Sequence, residues 1–61
     1  MDKRYRVEFE VTFNNGLHVT WEPMASYGSR KEAEAYIDGA RAFDERGTEF
    51  RIYDTKLEVV L

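Results

Sequence analysis

The chain has no cysteine, one proline, one histidine and no long apolar run. Without cysteine it can form neither a disulfide nor a thiolate metal site, and His18 alone cannot make a zinc site. Residues 1–6 are polar, so we expect neither a signal peptide nor a membrane anchor. These absences predict a cytoplasmic protein that uses no metal or cofactor and does not associate with membranes.

The chain also lacks an excess of positive charge. Nine Lys and Arg residues stand against twelve Asp and Glu, for a net charge of −3. Binding to nucleic-acid phosphates needs a surplus of cations on one face, so the composition disfavours that function while leaving a local basic patch open. At 61 residues the chain predicts a single domain, residues 1–61, with a core near the lower size limit for independent folding.

One amphipathic helix is predicted over Ser29–Gly47. Ser29 and Glu32 have the spacing of a capping box, in which the serine side chain accepts from the backbone of Glu32 and the glutamate bonds the Ser29 N–H. Gly47 is placed to end the helix in a left-handed conformation. An apolar stripe at helical spacing predicts that one side packs on a sheet; it consists of Ala33, Tyr36, Ile37, Ala40 and Phe43.

Two strands with a period of two precede this helix. Residues 5–13 alternate apolar and polar, and residues 17–22 do the same before Pro23, which should end the second strand. A two-residue Asn15-Gly16 loop would place Phe13 opposite His18, an apolar residue against a polar one. A three-residue loop, 14–16, would pair Phe13 with Leu17, so that Leu17, Val19 and Trp21 would face the core with the apolar residues of the first strand. We therefore predict the three-residue hairpin.

The end of the chain predicts two more strands. Phe50 and Ile52 should point inward from a third strand, and a turn at Asp54-Thr55 would pair Ile52 with Leu57 and return residues 57–61 as a fourth strand. The alternative is a single long bent strand through residue 60. The order ββαββ predicts an α+β fold, with a four-stranded antiparallel sheet in the order 2-1-3-4 and the helix on one face.

The segment 25–36, Ala-Ser-Tyr-Gly-Ser-Arg-Lys-Glu-Ala-Glu-Ala-Tyr, resembles the start of the helix in the arm-type DNA-binding domains of phage integrases. In that family a sheet precedes a helix that opens with a threonine or serine, basic residues and a Glu-Ala pair. The resemblance implies DNA contact through the sheet. This chain departs from the family pattern in having two strands rather than three before the helix.

The sequence contains no catalytic constellation, because His18 has no nucleophile or partner carboxylate placed with it. We therefore predict a small, non-enzymatic accessory protein of prokaryotic or phage type that binds a protein partner or itself. It would use the acidic face of the sheet or the C-terminal edge strand, which is apolar and lacks a protecting proline. The predicted protein-binding residues are Glu8, Glu10, Glu22, Tyr53, Glu58 and Val60.

The alternative function is that of a nucleic-acid-binding accessory protein. It would use basic side chains of the N-terminus and the helix start, provided that they converge at one end of the fold. These residues are Lys3, Arg4, Arg6, Arg30 and Lys31.

Overall fold

A computed structural model describes residues 3–61 and contains four antiparallel strands and one helix. The strands are β1 (Tyr5–Phe13), β2 (His18–Tyr27), β3 (Phe50–Asp54) and β4 (Val59–Val60), and the helix is α1 (Arg30–Phe43). The strands form one sheet in the order β2-β1-β3-β4. The predicted fold class and strand order are therefore confirmed, and β4 is a separate strand rather than an extension of β3.

The hairpin between β1 and β2 differs from the prediction. Phe13 pairs with His18, which is the register of a two-residue Asn15-Gly16 turn. Asn14, Asn15 and Gly16 have φ values of 51°, 58° and 90°. Leu17 has right-handed helical dihedral angles, and its N–H donates to the Asn14 carbonyl at 3.2 Å. Positive φ at both Asn15 and Gly16 is the signature of a type I′ turn, but Asn14 and Leu17 are not extended either, so the connection between β1 and β2 comprises four residues, 14–17. The register therefore follows the turn preference of Asn15-Gly16, and apolar residues are not matched across the hairpin.

A β-bulge in β2 makes this register compatible with a core. Val7 pairs with Ala25 but Glu8 pairs with Pro23, so Met24 is an extra residue in β2. A bulge shifts the side-chain alternation by one residue. The prediction that β2 ends at Pro23 is wrong: the strand continues to Tyr27, and its proline lies at a sheet edge beside the bulge, where prolines are tolerated.

The shifted register changes which face of the sheet several side chains occupy. His18, Thr20 and Glu22 lie opposite Phe13, Val11 and Phe9, on the side of the sheet that carries α1. Val19 and Trp21 lie opposite Thr12 and Glu10, on the side without a helix, which we call the outer face. The prediction that Leu17, Val19 and Trp21 face the core is therefore wrong, and Leu17 is 81% exposed in the turn.

Helix α1 begins as predicted and ends earlier. The Ser29 side chain accepts from the Glu32 N–H at 3.2 Å, whereas the Glu32 carboxylate accepts from the Ser29 hydroxyl at 3.1 Å instead of from its N–H. The last helical residue is Phe43, four positions before Gly47. Asp44 ends the helix because its carboxylate accepts from the N–H groups of Arg46 and Thr48, at 3.0 and 2.6 Å, and so holds the chain in a loop.

The core is small and lies between α1 and the centre of the sheet. Its buried apolar residues are Val7, Ala33, Ile37 and Ile52. Tyrosine rings cover one side, with the centroids of Tyr27 and Tyr36 5.6 Å apart. The fourteen residues of α1 span about 21 Å, whereas the nine of β1 span about 30 Å. The turn end of the hairpin therefore extends beyond the helix.

The turn between β3 and β4 is longer than predicted. Tyr53 pairs with Val60 and Asp54 with Val59, so residues 55–58 form the turn and Leu57 lies outside the sheet. The Asp54 carboxylate accepts from the N–H groups of Lys56 and Leu57 at 3.0 and 3.2 Å, which closes this turn. The parity is as predicted, because Val60 still shares the outer face with Tyr53.

Candidate functional site

The centre of the outer face is an internal ion-pair cluster. Glu8 is only 3% exposed, and its two carboxylate oxygens accept from Arg6 Nε at 2.9 Å and from Arg51 Nε at 2.7 Å. The flat guanidinium groups lie over aromatic rings, Arg6 at 4.8 Å from the Tyr53 centroid and Arg51 at 4.4 Å from that of Trp21. We call these five residues the outer-face cluster. It neutralises the central glutamate and covers one face of each ring.

This cluster changes how the predicted protein-binding residues are presented. Glu8 is buried and bonded within the chain, and Glu22 lies on the helix side of the sheet. Glu58 lies in the β3–β4 turn with a φ of 57°. Only Glu10, Tyr53 and Val60 share the outer face with accessible surface. The six residues therefore do not form one acidic surface, and their binding role stays a prediction.

The predicted binding residues did not include two members of the cluster, Arg51 and Trp21, and Trp21 was expected on the opposite face of the sheet. Its place on the outer face depends on the turn at Asn15-Gly16, since a loop one residue longer would turn its side chain to the helix side. The signal that could have found it is the Asn-Gly pair itself, which favours a two-residue turn.

Three of the five predicted nucleic-acid-binding residues have acidic partners. Arg4 donates two hydrogen bonds to Asp54, Arg6 bonds Glu8, and Arg30 lies 3.7 Å from Glu34. Lys3 and Lys31 are exposed. Carboxylates that already bind these guanidinium groups reduce the positive potential offered to a phosphate backbone. Nucleic-acid binding stays a prediction.

The C-terminal edge of the sheet is apolar and accessible. We define the β4 edge as residues 59–61, and its side chains Val59, Val60 and Leu61 are 45%, 49% and 43% exposed. The Leu61 N–H donates to the Ile52 carbonyl at 2.9 Å. Backbone groups alternate in direction along an antiparallel strand, so the N–H and C=O of Val60 point away from β3. They are placed to pair with an additional strand.

An open groove of about 600 Å³ runs beside this edge, between α1 and β3. Ile37, Phe50, Ile52 and Leu61 form its apolar floor. Charged side chains of α1 form its rim, and these are Arg30, Lys31, Glu34, Asp38 and Arg41. An apolar floor with a charged rim can accept alternate side chains of an extended peptide while the rim contacts its polar groups.

A second apolar cleft, of about 330 Å³, lies where α1 ends. Phe9 and Phe50 contribute from the sheet, Met24 from the bulge, and Ala40 and Phe43 from the helix. The Phe43 side chain is 90% exposed, although the helical pattern predicts that it faces the core. Phe43 is the last residue of the helix and lines the cleft, so it forms a wall of the cleft rather than filling it.

Asp44 and Arg46 lie on the same cleft with opposite charges. Hydrogen bonds from the backbone N–H groups of Arg46 and Thr48, that of Arg46 first, hold the pKa of the Asp44 carboxyl below its usual value. Asp44 is therefore ionised at neutral pH while it holds the loop after the helix.

Within residues 3–61, no group of three or more His, Cys, Asp or Glu side chains is arranged to hold a metal ion. The same residues include no helix with the length and apolar character needed to cross a membrane. No family model, curated protein or solved structure matches the chain. The candidate sites are thus the two apolar clefts and the β4 edge.

Proposed function

We propose that this chain is a non-enzymatic protein-interaction module that binds an extended segment of a partner protein along the β4 edge. The observation that carries this proposal is the exposed apolar edge beside an open apolar groove. Natural sheets usually protect such an edge with charge, proline or a covering element. A partner strand would supply that cover.

Backbone hydrogen bonds would provide the first set of contacts with the partner. A segment that pairs with Val60 extends the sheet by one strand, and its main-chain hydrogen bonds need no particular side chains. Every second side chain of that segment would then point to the helix side, beside Val59 and Leu61. The apolar floor of the groove favours apolar residues at those positions.

The rim of the groove adds a charge preference. Arg30 is already paired with Glu34, whereas the cations Lys31 and Arg41 lie one on each side of Asp38 along the helix. An acidic side chain in the partner could approach either cation and would be repelled by Asp38. We therefore expect peptide ligands with an apolar residue at every second position and an acidic residue near one end of that pattern.

The β4 edge is a better candidate than the outer face because of what each surface exposes. On the outer face, the buried Glu8 carboxylate is occupied by the two arginines that bind it. A partner would have to break those contacts to reach the carboxylate, which is costly for a buried ion pair. A strand can pair with the outward-pointing backbone groups of Val60 without breaking the hydrogen bonds between β3 and β4.

A peptide-display selection on the immobilised protein tests this function. A library of random peptides of about ten residues, the upper end of usual strand length, should yield sequences with apolar residues at alternate positions. A synthetic copy of an enriched peptide should then shift the backbone amide resonances of residues 59–61 and of the α1 residues along the groove.

Two lysine variants provide the control. Val60→Lys should abolish peptide binding, because a charged side chain on an edge strand opposes strand addition. Val19→Lys places the same change on the other edge strand, at a residue of nearly equal exposure, 50% against 49%, and should leave binding intact. Failure to select any peptide, or amide shifts confined to the outer-face cluster, would contradict the proposal.

A further inference from the structure

The surface at the end of α1 has the shape of a knob beside a hole. The Phe43 side chain projects into solvent with 90% of its surface exposed, and the 330 Å³ cleft next to it is open. The floor of that cleft is formed by Phe9, Met24 and Phe50. Burying an aromatic ring in an apolar cleft is one of the larger favourable terms available to an association.

We propose that two copies of this chain associate through this surface, each inserting Phe43 into the cleft of the other. A two-fold contact brings the same patch of both chains together, so it requires a patch that is complementary to itself. A knob and a hole side by side meet that requirement. The two Phe43 rings would lie close to each other and to the axis.

The charges around the cleft have the same self-complementarity. Asp44 and Arg46 line it with opposite signs, and the Arg46 side chain is exposed. A two-fold axis through the cleft allows Arg46 of each chain to approach Asp44 of the other, which forms two equivalent ion pairs. The hydrogen bonds that the Asp44 carboxylate accepts from its own loop leave it lone pairs for a guanidinium.

The small core gives a reason for a second copy to occupy this site. Among residues 3–61, only four apolar side chains are buried, whereas nine large apolar side chains are exposed. A chain of this length gains little stability from burial within one copy. Association would bury Phe43 and Met24, two of those nine, and extend the core past the end of α1. This surface is separate from the β4 edge, so the inference does not depend on the proposed function.

Sedimentation equilibrium over a concentration series reaching about 1 mM, a range suited to weak association, tests the dimer. The wild-type mass should rise toward that of two chains. Phe43→Lys should weaken self-association at least tenfold, and Arg46→Glu should weaken it severalfold by facing Asp44 of the second copy with like charge. Leu17→Lys, an equally drastic change at an exposed residue of the hairpin turn, should leave it unchanged. Far-ultraviolet circular dichroism checks that each variant is folded.

An NMR experiment on the wild-type protein tests the geometry without a substitution. In a mixture of isotope-labelled and unlabelled chains, the Phe43 ring of one copy should show nuclear Overhauser effects to the Met24 methyl group of the other. A strictly monomeric wild type overturns the proposal. So does a dimer that survives Phe43→Lys but is lost in Val60→Lys, since that result places the contact at the β4 edge.

Discussion

The Arg4 guanidinium donates two hydrogen bonds to the Asp54 carboxylate, from Nε at 2.8 Å and from Nη2 at 2.7 Å, across fifty positions of sequence. The Arg4 carbonyl in turn accepts from the backbone N–H and the hydroxyl of Thr55. Arg4, directly before β1, is thereby fixed to the turn that leads into β4. A residue predicted to contact nucleic acid thus has a structural role.

We call the contacts of Arg4 with Asp54 and Thr55 the clamp. It predicts a contribution to stability that is lost in acid. The Arg4 hydrogen bonds, with smaller contributions from the Leu57 and Lys56 N–H groups, lower the pKa of Asp54 from 3.8 to about 2. Because the folded-state pKa is the lower one, the stabilisation is fully present above about pH 4 and is lost as the pH falls toward 2. Asp54→Asn should reduce stability at pH 7 and flatten the stability profile between pH 4 and pH 2.

Urea denaturation at a series of pH values measures this effect. Asp38→Asn, which neutralises an exposed carboxylate of α1, is the matched control and should retain the wild-type profile. If the Asp54→Asn and wild-type profiles stay parallel down to pH 2, the clamp does not couple protonation to folding.

The outer-face cluster predicts that two glutamates on the same face, Glu8 and Glu10, contribute differently to the free energy of unfolding. Glu8→Gln weakens two hydrogen bonds to arginine and should cost about 2 kcal/mol of unfolding free energy, because hydrogen bonds to charged groups each contribute roughly 1.5–3 kcal/mol. Glu10→Gln, two positions along β1, should change it by less than about 0.5 kcal/mol. Equal effects of the two substitutions, measured by urea denaturation at pH 7, would show that the cluster adds no stability.

Elements set by local chemistry were predictable from the sequence. The nine alternating residues of β1 and the pairing of Ser29 with Glu32 each point to one structure, and the connection lengths leave few ways to order four strands. The β1–β2 hairpin was less predictable, because the turn favoured by Asn15-Gly16 and the apolar pattern of the strands predict registers that differ by one residue. A bulge at Met24 accommodates both, and no feature of the sequence locates that bulge unambiguously.

The candidate surfaces were less predictable than the fold because they depend on where elements end. Gly47 has the positive φ expected of a helix-ending glycine, but the Asp44 carboxylate ends α1 first and so leaves Phe43 outside the core. In the same way, the hydrogen bonds of Asp54 lengthen the final turn and reduce the fourth strand to two residues. These side-chain hydrogen bonds to nearby backbone groups compete with helix and strand geometry. They cannot be predicted from the helical or strand periodicity of the sequence.

Gly39 predicts a stabilising substitution. It lies inside α1, and a Cβ atom built there would meet no atom within 4 Å. Gly39→Ala should therefore raise the unfolding free energy by about 1 kcal/mol, the difference in helix propensity between the two residues. Thermal denaturation followed by circular dichroism measures it, and a loss of stability would mean that the backbone at this position departs from ordinary helical geometry.

Gly16 predicts the opposite result for the same substitution. A Cβ atom there would also meet nothing within 4 Å, but the φ of 90° is one that residues other than glycine rarely adopt. Gly16→Ala should therefore lower the unfolding free energy by about 1 kcal/mol through backbone strain alone. Because neither site is crowded, the two variants separate conformational cost from packing. A neutral Gly16→Ala would imply that the hairpin does not need the left-handed turn, and hence that the register placing Trp21 on the outer face is set elsewhere.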